Sequence, residues 1–152
     1  MLSKKQARAF FLGGTLVTFL VFIGLTIYSF SGDVDQTNEE NITDAVVRGK
    51  VIWEENNCMG CHTILGEGAY YAPELTKVVD RLNVKYDGNG EEVIKSILMS
   101  KVPWQPNGRK MVAYGMTDQE AEDMVEFFKW IGEIDLNGFD TVVSPLAKDK
   151  TN

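Results

Sequence analysis

The chain opens on one unbroken apolar run and then changes to shorter, periodic patterns. Residues 9–30 carry no charge. At a rise of ~1.5 Å per residue such a run extends roughly 33 Å as a helix, enough to cross a bilayer. A cleaved signal peptide has a shorter apolar core of about 7–15 residues with small residues at its cleavage site. Here the run is longer and ends Tyr28-Ser29-Phe30-Ser31-Gly32, so an uncleaved transmembrane anchor is expected. Lys4, Lys5 and Arg8 precede it, and Asp33, Asp35, Glu39 and Glu40 follow. The positive-inside rule then leaves residues 1–8 in the cytoplasm and everything after the anchor on the other side.

Beyond the anchor the pattern is helical. Residues 31–43 are polar without an apolar period and read as a linker. Thr43 is placed to cap a helix over residues 44 to about 56, with Val47, Val51 and Ile52 apolar and with Gly49 and Trp53 one turn apart. Pro73 precedes a second helix, 74–82, and Asp87-Gly88-Asn89-Gly90 is a turn. A third helix spans 91–101, with Ile94, Ile97 and Leu98 as its stripe. Pro103, Pro106 and Gly108 then force a loop. Thr117-Asp118-Gln119-Glu120 is a capping box, and Met124, Phe127, Phe128 and Ile131 share one face of the helix it starts. Residues 136–152 read as a loose tail, and no strand-like alternation of useful length occurs. The expectation is an all-α domain over 44–135 behind one transmembrane helix.

Charge narrows the function classes. The 152 residues have a formal net charge of −7, yet residues 1–30 hold three bases and no acid. The rest is therefore strongly acidic, which excludes nucleic-acid binding through a basic surface. Two cysteines make no disulfide framework, and a single histidine excludes bis-His haem and multi-His zinc sites. About 100 residues in four short helices bury little apolar surface, and domains of that size usually need an added staple.

Cys58-Met59-Gly60-Cys61-His62 supplies one, because Cys-x-x-Cys-His is the c-type haem attachment sequence. Each thiol adds to one haem vinyl group, and two intervening residues let one helical turn present both sulfurs to the same porphyrin edge. His62 then reaches the iron from that side. A redox Cys-x-x-Cys beside an incidental histidine would need a βαβ setting that this chain does not offer. One covalent haem c on Cys58 and Cys61 is expected, with His62 as an axial ligand.

His62 being the only histidine, the opposite ligand is sought among the methionines, the usual alternative. Met1 lies across the membrane, and Met59 is too close to His62 in sequence to reach the far face. Met124 belongs to a core stripe, and Met99 sits off its helix's stripe. Met111 and Met116 remain. Met116 directly precedes the cap Thr117 and has a packing role against Ala121. Met111 has no comparable role and is preferred, with Met116 as the alternative.

Longer stretches carry a more specific resemblance. Ala45-Val46-Val47-Arg48-Gly49-Lys50, Trp53-Glu54, the haem motif, and Leu65-Gly66-Glu67-Gly68-Ala69-Tyr70-Tyr71-Ala72-Pro73-Glu74-Leu75 resemble the cytochrome c subunit of bacterial nitric oxide reductase. So do Met124-x-Glu126-Phe127-x-Lys129-Trp130, Ile134-Asp135 and Asn137-Gly138. One departure is that the family's Met-Pro in the ligand loop is Met111-Val112 here. The resemblance implies a class I cytochrome c fold, in which Gly49 and Trp53 mark the crossing of the first and last helices. It implies that the Pro73 carbonyl supports His62. It also implies backbone oxygens at Gly68 and Tyr70 on a calcium ion shared with the large subunit.

The function so implied is electron transfer in the bacterial cytoplasmic membrane. The haem domain is periplasmic and takes electrons from a soluble periplasmic donor, a cytochrome c or cupredoxin. It passes them to the large haem b and non-haem-iron subunit, which reduces two nitric oxide molecules to nitrous oxide. The chain itself has no catalytic site, and its acidic surface suits a basic donor. Two alternatives are an anchored cytochrome c of another respiratory complex, or free-standing shuttle, and a haem-based gas sensor.

Overall fold

The computed structural model describes residues 3–31, 37–105 and 108–136. The chain divides into two units, residues 1–35 and 36–152. The first is helix α1, Lys4–Ser31. It starts ahead of the uncharged run because Ser3 and Gln6 cap it reciprocally: the Ser3 N–H donates to Gln6 Oε1 at 2.9 Å and the Gln6 N–H to Ser3 Oγ at 3.3 Å. Inside the apolar run the Thr18 hydroxyl bonds the carbonyls of Gly14 and Thr15, and that of Thr26 bonds Phe22. A helix that satisfies its own polar groups in this way is suited to hydrocarbon. It is long and apolar enough to cross a membrane.

The second unit is helical, as its periodicity indicates. Helix α2 is Asp44–Glu55, α3 Val78–Lys85, α4 Gly90–Met99 and α5 Asp118–Glu133. Thr43 Oγ accepts from the Val46 N–H at the start of α2. At α5 both halves of the Thr117–Glu120 capping box are formed. The largest helix–helix contact joins α2 to α5. Gly49 makes it possible. A Cβ there would lie 2.1 Å from the Asp123 carbonyl oxygen and 2.7 Å from Phe127 Cβ. One turn on, Trp53 stands edge-on to Phe128, centroids 5.8 Å apart, and tilted on Phe127 at 6.1 Å.

Several local expectations need correction. The buried face of α2 is Val46, Gly49 and Trp53, whereas Val47 and Val51 are exposed. A glycine is silent in an apolar pattern, so the valines set the wrong phase. Helix α3 begins at Val78, four residues late. Its expected first turn is held otherwise: the Glu74 carboxylate accepts from the Thr76 N–H at 2.7 Å and from the Thr76 hydroxyl, and pairs with Arg81. Among the described residues two antiparallel two-residue strands occur, β1 Thr63–Ile64 and β2 Glu67–Gly68, too short for any alternation to reveal. The latter part of the expected linker belongs to the folded unit. Asn38 Nδ2 donates to the Glu133 carbonyl at 2.9 Å, the Trp130 indole N–H donates to the Asn38 carbonyl, and Lys77 Nζ donates to the Gly132 carbonyl. A cation at the last carbonyls of α5 also complements the helix dipole. The expected tail falls almost wholly on residues outside those described.

Arg48 grips Asp123 through two hydrogen bonds of 2.8 Å, from Nε and Nη2, tying α2 to α5 beside the glycine. That bonding holds the Asp123 carboxyl below its ordinary value, against the opposing effect of burial. A depressed folded value gives stability that is complete above the unfolded value of about 3.9 and is lost as pH falls through the folded one. The thermal midpoint is therefore expected to fall as pH drops below about 4. Asp123→Asn should lower the midpoint at pH 7 and make that acid limb shallower; an unchanged limb would show that the pair does not contribute to it.

Candidate functional site

The motif occupies the sharp exit from α2. Asn57, at φ 50°, turns the chain into a single 3-10 turn, Cys58–Gly60. The N–H groups of Cys61 and His62 both donate to the Cys58 carbonyl, at 3.1 and 2.9 Å. One turn thus carries both sulfurs and the histidine. Both thiols are free, Cys58 buried and Cys61 exposed. Burial pushes the Cys58 thiol up, while a hydrogen bond with Tyr114 pulls it down. Tyr114 itself is pushed up to about 12, chiefly by its burial and then by Cys58.

A loop wraps this turn. The Ala69 N–H donates to the Met59 carbonyl at 2.9 Å, Ala72 to Cys61 at 2.8 Å, and Leu75 to Thr63 at 2.8 Å. His62 Nδ1 lies 2.7 Å from the Pro73 carbonyl oxygen. Since a carbonyl only accepts, Nδ1 carries the proton and Nε2 keeps its lone pair. Burial draws the His62 pKa below its ordinary value, partly countered by that carbonyl. Gly68, at φ 120°, passes so close that a Cβ would stand 2.2 Å from the His62 carbonyl oxygen. The glycine is therefore part of the histidine's backing. Substituting it disturbs the ligand as well as any outer surface of the loop. Tyr70 is exposed, its hydroxyl 3.5 Å from the Gly66 carbonyl.

The two candidate methionines have different settings. Met116 is buried in the core cluster with Ala121, and its N–H donates to the Leu98 carbonyl at 3.1 Å. Met111 is half-buried against the cluster edge in an isolated antiparallel bridge to Trp104, its N–H on the Trp104 carbonyl at 2.8 Å. Two residues before it, Arg109 donates to the Tyr71 carbonyl at 2.5 Å. The segment containing Met111 is thus tied to the loop that contains Pro73. Sequence reading singled out neither Arg109 nor Tyr114; the only signal was their closeness to Met111 and to the cap.

The donor set suits a c-type haem. Two thiols stand on one turn, and a neutral imidazole beside them has its distal nitrogen free. Next to His62, with ring centroids 6.4 Å apart, lies Trp53. Its buried Nε1–H finds no acceptor among the described residues. An unpaired buried donor costs about 1–3 kcal/mol, so its presence fits a site completed by a group the chain does not supply. Among the described residues no cluster of three or more His, Cys, Asp or Glu side chains offers a conventional metal site.

Residues 46–132 match the cytochrome c family model. The chain is 45% identical to the nitric oxide reductase C subunit of Stutzerimonas stutzeri over 89% of this chain and 91% of that one. It is 42% identical to the corresponding protein of Halomonas halodenitrificans over 88% and 91%. With that of Paracoccus denitrificans it shares 38% over 88% and 91%.

Proposed function

The chain belongs to the cytochrome c family and, within it, to the family of nitric oxide reductase C subunits; on that premise we propose that it is the membrane-anchored electron-transfer component of such a reductase. Cys58 and Cys61 would hold the haem covalently, and His62 Nε2 and Met111 would hold its iron, which supplies one-electron chemistry when bound. The chain's own residues do the rest. Pro73 fixes the imidazole tautomer and ring angle, which tunes a metal through its ligand. Trp53, Phe127 and Phe128 exclude water behind His62. The acidic domain attracts a basic periplasmic donor, and the large haem b subunit receives the electron and carries out the reduction of nitric oxide. Gly68 and Tyr70 carbonyls are the ligands this chain would offer a shared calcium ion, since hard oxygen donors suit it. The N-terminal helix anchors the chain with its N-terminus in the cytoplasm.

The observation that carries this reading is the tautomer-fixed His62 on the same turn as two free thiols. Acid-acetone extraction of the purified membrane complex should leave haem on this chain, stained near 17.0 kDa. In the same complex, pre-reduced haem c should reoxidise when nitric oxide is added, and only while the large subunit is present. Loss of all haem on extraction would overturn the attachment; a haem c that stays reduced would overturn the electron-transfer role.

A further inference from the structure

The segment between Gly108 and Gly115 makes its described backbone hydrogen bonds to residues outside itself. Both glycines are in left-handed conformations, at φ 80° and 60°, so the stretch carrying Met111 begins and ends at residues other side chains rarely replace. No helix or named strand lies within it. Its backbone ties run outward, from Met111 to the Trp104 carbonyl and from Gly115 to the Ser100 carbonyl at 3.2 Å. Arg109 adds a side-chain tie of a different kind. Its guanidinium donates to the Tyr71 carbonyl and lies over the Tyr71 ring, 5.7 Å from the centroid. The Lys110 N–H reaches the Tyr71 hydroxyl at 3.4 Å. Tyr71 in turn precedes Ala72 and Pro73, which are bonded to Cys61 and His62.

We propose that Arg109 is a positioning residue for the sulfur ligand, its guanidinium clasping Tyr71 so that the Met111 segment is held against the loop that orients His62. The proposal rests on the reading of Met111 as the iron's second axial ligand. The clasp joins residues 38 apart in sequence and so converts a loop with glycine ends into one edge of a rigid site. A charged donor on a carbonyl is a strong hydrogen bond, and a planar cation on an aromatic face adds to it; lysine lacks the planar fork. The clasp therefore opposes any departure of Met111 from the iron.

Imidazole competes with a methionine for ferric haem, so its titration into the full-length haem-loaded protein reads that departure directly. Loss of the weak sulfur-to-iron band near ~695 nm gives the half-saturating concentration. For Arg109→Ala that concentration should fall roughly tenfold, and for Tyr71→Leu roughly threefold. The double variant should fall little further than Arg109→Ala alone, because both changes open one clasp. A merely structural role would lower the far-UV melting point and leave the imidazole titration unmoved. An unchanged titration in Arg109→Ala, or fully additive effects in the double variant, would overturn the clasp. If the unaltered protein lacks the band, the Met111 assignment fails and the proposal falls with it. A band present with unchanged affinity overturns the clasp alone.

Discussion

Met111→Leu is expected to abolish the sulfur-to-iron band near ~695 nm, and Met116→Leu to preserve it. The two lie five residues apart, Met111 inside the glycine-ended stretch and Met116 just beyond it, and they occupy different kinds of place. Met116 is 8% exposed, inside the core cluster and immediately before the α5 cap. Leucine fills such a site at a cost usually under about 1.5 kcal/mol. Met111 is only half-buried, in a segment with no helix of its own, tied to the Tyr71 loop through Arg109. The other described methionines are placed differently. Met124 is 1% exposed in the centre of α5, Met59 belongs to the motif turn, and Met99 is exposed at the end of α4. Because methionine ligation raises a haem's potential, Met111→Leu should also lower the midpoint potential. Electron delivery to the large subunit should slow by on the order of tenfold or more. Retention of the band in Met111→Leu with its loss in Met116→Leu would reverse the assignment.

Gly49→Ala should destabilise the domain by about 2 kcal/mol or more, although alanine is the better helix former by about 1 kcal/mol. The reason is the nature of the obstacle. The new methyl would meet the backbone of α5 at Asp123, and backbone inside a packed helix cannot swing aside as a long side chain can. The α2–α5 contact would have to open, loosening Trp53 against Phe127 and Phe128 as well as the Arg48–Asp123 pair. Gly132 is the internal comparison. A Cβ there comes no nearer than 3.4 Å to the Thr76 carbonyl, so Gly132→Ala should be neutral or slightly stabilising. Chemical denaturation of the haem-loaded protein measures both. A Gly49→Ala variant as stable as its parent would mean that the two helices are not held at this distance.

What was legible in the sequence, and what was not, follows from how each feature writes itself into residue types. Caps depend on particular side chains at fixed spacing, so Thr43 and the Thr117–Glu120 box could be read directly, and the spacing of Cys58, Cys61 and His62 already put them on one turn. The α5 core face was legible because its large residues recur at helical intervals. The α2 face was misphased because its closest contact is made by a residue with no side chain. The start of α3 was misplaced because Glu74 and Thr76, both compatible with a helix, bond each other in a loop instead, and Arg81 of α3 pairs back to Glu74. The Ser3–Gln6 cap of α1 follows the same spacing rule as the others but was hidden beside the much louder apolar run. The Arg109–Tyr71 clasp lay beyond reach for another reason. Nothing in either residue's local sequence says that two loops 38 positions apart will meet.

The crossing of α2 and α5 also has a meaning in time. Arg48 and Asp123 stand 75 residues apart, and the helices they join are the first and last of the domain. In a chain made amino end first, α2 emerges without the partner that covers Val46, Gly49 and Trp53. Closing so long a loop costs entropy before any contact repays it, so the domain stays open until its last helix arrives. The cysteine turn lies inside that loop. Cys58, which ends up buried, therefore stays accessible until α5, whose last residue Glu133 lies 75 positions further on, has been made.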